Sequence, residues 1–251
     1  MKVRSGILTA WASAWLAGEA AFDDAVSRVT GADEPHRLVG LPGTTDEVPL
    51  GWLLPVLRER APEGLRLVLP VPGDPRGLPG PGPFSTAALE CGEAVMGGGF
   101  GAVPRITSHG STIGSRTTSV CWVVFETGEP TPDPLTVAEA EHALTDATRD
   151  AASTLAALDV ATWRPEVAGG LAKARRVTSP ELPPGHDTRA VRLLAQADRL
   201  GAVLALASTD ALDGTLTSRE AAARDLALRP LATAVRRARL AAYNSVSSRR
   251  H

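Results

Sequence analysis

Histidine is the residue type in this sequence best able to do chemistry, either as a metal ligand or as a general base. The chain has five histidines, and none stands at the spacing from Cys, Asp or Glu that zinc sites require. The motifs HExxH and CxxC are both absent. The sequence therefore predicts no metal site and indicates no cofactor. The histidines are His36, His109, His142, His186 and His251.

Nucleophilic catalysis would have to use one of the two cysteines, Cys91 or Cys121, with His109 as the base. Cys121 has apolar neighbours on both sides, which is typical of a buried and unreactive thiol. Cys91 has glutamates nearby in the sequence, and their negative charge raises the pKa of a thiol. No GxSxG elbow is present. We therefore predict that both cysteines are reduced, free and non-catalytic.

The polar segment 108–118 is the best candidate for a loop that binds an anion or another polar ligand. It combines glycines, hydroxyl side chains and an arginine, so that backbone N–H groups and a positive charge could converge on one ligand. Its candidate ligand-binding residues are His109, Ser111 and Arg116. The alternative is an ordinary connection, because Ser, Thr and Gly are also the usual residues of loops.

Basic residues are concentrated at the end of the chain, although the net charge of the whole protein is only −2. Residues 216–251 contain eight arginines and two acidic residues. If this segment binds an acidic partner, the candidate residues are Arg229, Arg236, Arg237 and Arg239. The alternative is that these arginines form a solvated face of a helix, as charge runs usually do.

The strands that would position His109 are predicted from short apolar runs between turn residues. The segment Ser119–Glu126 is continuously apolar and rich in β-branched and aromatic residues, which favours a central strand. It is the end of a predicted antiparallel meander, in which glycines 97–99 connect the first two members. The meander consists of Ala87–Met96, Gly101–Ser108 and Thr117–Thr127, and earlier strands are predicted at His36–Leu41 and Leu65–Val71.

Helices are predicted at both ends of the chain from apolar residues spaced three and four apart. At the N-terminus, one helix is expected to carry an apolar stripe and to end at Gly31. The stripe is Leu8, Trp11, Trp15, Phe22, Val26 and Val29. A short helix is expected at Leu50–Arg60 despite Pro55.

The second half of the chain has the helical period throughout. Two capping boxes, Thr136–Glu139 and Thr217–Glu220, mark helix starts. A further helix is expected to run from Asp187 to about Ser208. The last helix should reach Tyr243, with its core contacts made by Leu226, Thr233 and Leu240, and with a kink or break just before Pro230.

These elements predict an α+β fold with an antiparallel sheet of about four to six strands and an N-terminal helix in the first half. The helical second half is expected to pack on the sheet. We predict one compact domain over residues 1–251, with a possible subdivision into 1–130, mostly sheet, and 131–251, helical.

Composition places the chain among soluble globular proteins, with 43% hydrophobic and 22% charged residues. We expect a cytoplasmic protein, because the sequence shows neither a signal peptide nor an apolar stretch long enough to span a membrane. Arginine greatly outnumbers lysine, and alanine, glycine and proline are abundant, as a GC-rich genome would encode.

Three function classes remain, and the sequence favours the first. It is a non-catalytic binding or protein-interaction protein, because no catalytic set converges in the sequence. The second is an enzyme with a loop-built site around His109 and Arg116. The third is a nucleic-acid-associated protein that uses the arginine-rich last helix, against which the slightly negative net charge argues.

Overall fold

A computed structural model describes residues 3–110, 117–129, 131, 135–157, 176–177, 180–212 and 218–245. The chain divides into two compact units, which we call the sheet unit and the helical unit. The sheet unit contains residues 2–134 and 181–186, and the helical unit contains residues 135–180 and 187–245. The predicted α+β class is confirmed. The predictions of one compact domain and of helices packed on the sheet stay predictions.

The N-terminal helix was expected to be continuous up to Gly31, and this prediction is wrong, because the chain forms two helices there. Gly18 adopts a left-handed conformation with φ of 75° and donates its N–H to the carbonyl of Trp15, which ends the first helix. The predicted helix around Pro55 is confirmed, as a 3₁₀ turn over Leu50–Trp52 that runs into an α-helix. The α-helices of the sheet unit are α1 Arg4–Leu16, α2 Phe22–Thr30, α3 Leu53–Arg60 and α4 Pro83–Cys91.

The sheet has six strands in the order β2-β1-β6-β5-β4-β3. All neighbours are antiparallel except β1 and β6, which run parallel, so the sheet is mixed rather than purely antiparallel. Its central pair, β6 and β5, places the predicted strand Ser119–Glu126 inside the sheet, as expected. The strands are β1 Arg37–Val39, β2 Val48–Pro49, β3 Arg66–Val68, β4 Ala94–Gly97, β5 Phe100–His109 and β6 Thr117–Glu126.

The first member of the predicted meander is wrong over Ala87–Cys91, which belongs to α4. Pro83 occupies the start of this helix, where its missing N–H costs nothing, and Gly92 ends it in the left-handed conformation. Strand β4 begins only at Ala94 and connects to β5 through Gly98 and Gly99.

The two faces of the sheet are covered to different extents. Helices α1 to α3 pack on one face, where Trp122 of β6 is fully buried among their apolar side chains. On the opposite face α4 packs through Phe84 and Ala88 against β3, β4 and Val103 of β5. Farther along that face, Val39, Arg105, Thr107 and His109 are exposed. Over the part of the chain that the structure describes, the face opposite Trp122 is therefore uncovered at its β1–β6–β5 end, and we call this area the open face.

The helical unit is built from α5 Val137–Ala157, α6 Thr188–Leu212 and α7 Ser218–Tyr243. The capping box at the start of α5 is confirmed, because Glu139 N–H donates to Thr136 Oγ1 at 3.2 Å and Thr136 N–H donates to a Glu139 carboxylate oxygen at 2.9 Å. Thr217 of the second capping box lies outside the described residues. These helices share one apolar core, which includes Leu144, Leu193, Ala197, Leu231, Val235 and Ala238.

Helix α7 continues through Pro230, so a break there is wrong, and the alternative of a kink stays a prediction. Pro230 cannot donate to the carbonyl of Leu226, but both residues are exposed, and water can satisfy that carbonyl. The prediction that Leu226 is a core residue is wrong, because its side chain is exposed.

Among the helices that the structure describes, none combines the length and the apolar character needed to cross a membrane.

Candidate functional site

Strands β5 and β6 form a hairpin that is longer than the strands on either side of it. They pair over their whole length, from Phe100 with Glu126 to His109 with Thr117. Strand β4 pairs with β5 only up to Ala102, and β1 pairs with β6 only over Cys121–Val123. The far half of the hairpin therefore extends beyond its neighbours.

The free edge of β5 can be assigned residue by residue. Gly98 and Gly99, both with positive φ, form a two-residue turn whose flanking residues, Gly97 and Phe100, make a hydrogen-bonded pair. Backbone N–H and C=O groups alternate in direction along a strand. Those of Phe100, Ala102 and every second residue after them therefore point away from β6. The carbonyl of Pro104 follows this rule, because it accepts a hydrogen bond from the thiol of Cys91 at 3.5 Å.

Ile106 and Ser108 come next in this alternation, so their N–H and C=O groups point away from β6. Thr118 is the partner of Ser108 across the hairpin. The carbonyl of Thr118 points away from β5, because it accepts a hydrogen bond from Glu34 N–H at 2.8 Å on the other side of β6. Thr118 and Ser108 are therefore not hydrogen-bonded to each other, as the alternation requires. Within the part of the chain that the structure describes, no backbone group pairs with Ile106 or Ser108 on the outer side of β5. We call Ile106–Ser108 the open edge.

An arginine row crosses the open face beside this edge. The strand register sets Arg37 of β1, Cys121 of β6 and Arg105 of β5 side by side, on the face opposite Trp122. Arg37 has a partner in Glu47, with Nε and Oε1 3.6 Å apart. Among the described residues, no carboxylate lies within ion-pair distance of Arg105, which is exposed. The open positive charge of the row is therefore at Arg105.

His109 lies on the same face as Arg105, at the end of β5. Its Nε2 is 3.2 Å from the hydroxyl of Ser119, and both groups are accessible to solvent. The other two predicted ligand residues, Ser111 and Arg116, lie outside the described residues. The ligand-binding loop therefore stays a prediction, and His109 is its described end.

The two cysteines are free thiols, as predicted. Burial raises the pKa of Cys121, the charge of Glu47 raises it further, and Arg105 lowers it. Burial and the charges of Glu93 and Glu90 raise the pKa of Cys91, and the charge of Arg105 lowers it. Both thiols are thus held in the protonated, weakly nucleophilic form near neutral pH.

His36, whose role the sequence did not indicate, lies in a buried polar network. Trp122 Nε1 donates to His36 Nδ1 at 3.3 Å, so the ring carries its proton on Nε2, which is 3.4 Å from Asp33 Oδ2. Arg4 holds both oxygens of Asp33, at 2.8 and 3.0 Å. Both nitrogens of His36 are engaged, so this network is structural.

Among the described residues no three His, Cys, Asp or Glu side chains form a group that could hold a metal ion.

The arginines of α7 differ in their surroundings. Arg239 Nε lies 2.9 Å from Asp198 Oδ1 of α6, and the two side chains are only 13% and 10% exposed. Gly201 allows this approach, since a Cβ there would lie 2.6 Å from a terminal nitrogen of Arg239. Arg236 and Arg237 are partly buried, and Arg229 is exposed. Of the four predicted partner-binding residues, Arg229 is the most accessible, and the prediction itself stays a prediction.

Comparison with known proteins covers nearly the whole chain. Residues 5–139 match the Rv1486c-like protein, N-terminal domain, and residues 138–240 match the Rv1486c-like protein, C-terminal domain. Uncharacterized protein Rv1486c of Mycobacterium tuberculosis (strain ATCC 25618 / H37Rv) is 31% identical, with 95% of each chain covered. Uncharacterized protein MAV321 of Mycobacterium avium is 32% identical, also with 95% of each chain covered. No solved structure matches the chain. The chain therefore belongs to the Rv1486c-like protein family.

Proposed function

We propose that this chain is a non-catalytic protein-interaction protein, and that its sheet unit binds an extended segment of a partner protein at the open edge. The observation that carries the proposal is the set of outward N–H and C=O groups of Ile106 and Ser108, which no described backbone group pairs with. An extended segment laid along this edge would hydrogen-bond to these groups and become an additional strand.

Two features of the edge support strand addition. Ile106 is 45% exposed, so it offers an apolar contact to a side chain of the added strand. Natural proteins usually protect free edges by pairing, charge or proline. Here Pro104 protects only the beginning of the free edge, and Ile106 and Ser108 keep their N–H donors.

The chemistry of the described residues also favours binding over catalysis. His36 is buried with both nitrogens engaged, and the pKa values of both thiols are raised. His109 Nε2 lies 3.2 Å from the hydroxyl of Ser119, but among the described residues no carboxylate contacts the imidazole to orient it as a base. A hydroxyl beside a histidine that lacks this third group is not an activated nucleophile.

The test uses two fluorescein-labelled peptides of alternating valine and polar residues, one with two glutamates and one with two lysines. Binding is measured by fluorescence anisotropy on the whole protein. Ile106→Pro removes an outward N–H but leaves the β5–β6 hydrogen bonds in place. We expect it to weaken binding of the bound peptide about tenfold, which corresponds to the loss of one hydrogen bond and its local geometry.

Ile106→Thr is the matched control, because it keeps the backbone N–H and a β-branched side chain. Its dissociation constant for the peptide should lie within about twofold of that of the unaltered protein. The melting temperatures of both variants should lie within about 2 °C of that of the unaltered protein. If neither peptide binds, or if Ile106→Pro binds as tightly as Ile106→Thr, strand addition at this edge is excluded.

A further inference from the structure

We infer that the partner segment is acidic, with a carboxylate next to Arg105; this inference rests on the proposed function. On an added strand, the residue beside Arg105 has its side chain on the same face, with Cβ atoms about 5 Å apart. Arg105 is exposed, and no described carboxylate lies within ion-pair distance of it. A carboxylate at that position would be placed to form an ion pair with this guanidinium.

A second arginine adds positive charge to the open face. Arg37 lies in the same row as Arg105, two strands away. Neighbouring strands are about 4.8 Å apart, so Arg37 adds to the positive potential at the edge without reaching the added strand itself. Its pairing with Glu47 reduces this contribution. Specificity should therefore come mainly from Arg105.

A second copy of the chain is a poor occupant of the open edge. The segment 104–110 reads Pro-Arg-Ile-Thr-Ser-His-Gly and has no acidic residue. If two copies paired antiparallel through this segment, Arg105 of each would face a threonine or a histidine of the other, depending on register. Neither residue supplies a carboxylate. Charge complementarity therefore favours an acidic segment of a different protein.

The experiment compares the glutamate and lysine peptides described above on the same variants. The unaltered protein should bind the glutamate peptide at least about fivefold more tightly than the lysine peptide, and this ratio should shrink as salt rises. Arg105→Glu should reverse the preference. Arg37→Glu is the matched control, because it makes the same change of charge two strands away from the edge. It should change the ratio of the two peptide affinities less than Arg105→Glu does.

The outcomes separate the two proposals. If a peptide binds and Ile106→Pro weakens it, but the two peptides bind equally or Arg105→Glu leaves their ratio unchanged, the acidic partner is excluded and strand addition stands. If no peptide binds, or if Ile106→Pro has no effect, both fail. If sedimentation shows that the protein forms dimers that Ile106→Pro dissociates, the occupant is a second copy and the acidic partner is also excluded.

Discussion

Glu93 accepts a hydrogen bond from the backbone N–H of Ser5 at 2.7 Å, across 88 residues of sequence. Ser5 lies in the first turn of α1, whose N-cap residue, Val3, has no side chain that could accept this bond. Glu93 is 4% exposed, and a carboxylate is favoured at the positive end of a helix dipole. A residue between α4 and β4 thus caps the first helix of the chain.

Burial also raises the pKa of Glu93, more than the hydrogen bonds from Ser5 and the charge of Arg4 lower it. The folded protein therefore binds this proton more tightly than the unfolded chain does. This contribution to stability is complete below the unfolded pKa, about 4.3, and is lost as the pH rises through the raised pKa of the folded state. Glu93→Gln keeps an oxygen acceptor for Ser5 and has no such titration.

We expect the free energy of unfolding of Glu93→Gln to increase relative to the unaltered protein as the pH rises from about 4 to about 8. Urea unfolding at several pH values measures this difference. Glu139→Gln is the control of opposite sign, because hydrogen bonds from Thr136 lower the pKa of Glu139, and their stabilisation is lost as the pH falls. A flat or inverted profile for Glu93→Gln would contradict the prediction.

Trp122 should be the most sensitive position of the sheet unit. It is fully buried in the central strand and donates a hydrogen bond to His36. Trp122→Ala should lower the free energy of unfolding by about 3 to 5 kcal/mol, since it leaves a large cavity. Trp122→Phe keeps most of the volume but removes the donor to His36, which should cost about 1 to 3 kcal/mol.

Trp52 provides the control for the tryptophan variants, because Trp52 is 56% exposed. Trp52→Ala should change the free energy of unfolding by about 0.5 kcal/mol or less. Urea denaturation of all three variants gives the comparison. An unchanged free energy of unfolding for Trp122→Ala would show that the central strand is not part of the core.

Local patterns predicted the central strand, and they failed where structure depends on distant partners. Ser119–Glu126 was predicted because a continuous β-branched and aromatic run suits a strand in the interior of a sheet. The parallel pairing of β1 with β6 joins Leu38 to Trp122, and no local pattern encodes a contact between such distant segments. At Ala87–Cys91 the prediction of a strand is wrong, because periodicity cannot separate a strand from a helix in so short an apolar run.

The candidate site could be predicted only in part for the same reason. His109 was singled out because it begins a polar loop, and it does lie on the open face. Arg37 and Arg105 were missed, because only the strand register makes them neighbours across Cys121. The open edge was also missed, since it results from the different lengths of β4 and β5.

The ion pair between Asp198 and Arg239 should stabilise the helical unit far more than an exposed pair does. Removing one partner of a buried pair leaves an uncompensated charge, so Asp198→Asn should cost about 3 to 5 kcal/mol. Asp146→Asn is the control, because Asp146 and Arg149 are 58% and 68% exposed, and this variant should cost less than about 1 kcal/mol. Equal costs, measured by urea unfolding, would show that Asp198 and Arg239 are solvated in solution.

Arg105 should control the reactivity of both cysteines, since its charge lowers the pKa of each thiol while burial raises it. Alkylation requires the thiolate, so labelling with iodoacetamide at neutral pH should be slow and should rise about tenfold per pH unit. Cys91 is exposed and should react faster than the half-buried Cys121. Arg105→Gln should slow labelling of both, because it removes the positive charge that favours the thiolate.

Arg37→Gln is the control for this labelling experiment. Arg37 stands beside Cys121 in the strand register, but its charge is not among those that shift the pKa of that thiol, whereas the charge of Glu47 is. Labelling rates at each cysteine, read by mass spectrometry over a pH series, should therefore change with Arg105→Gln and stay within about twofold with Arg37→Gln. Rapid labelling of the unaltered protein at neutral pH would reveal a lowered pKa, and would favour an enzyme that uses one of these thiols over a binding protein.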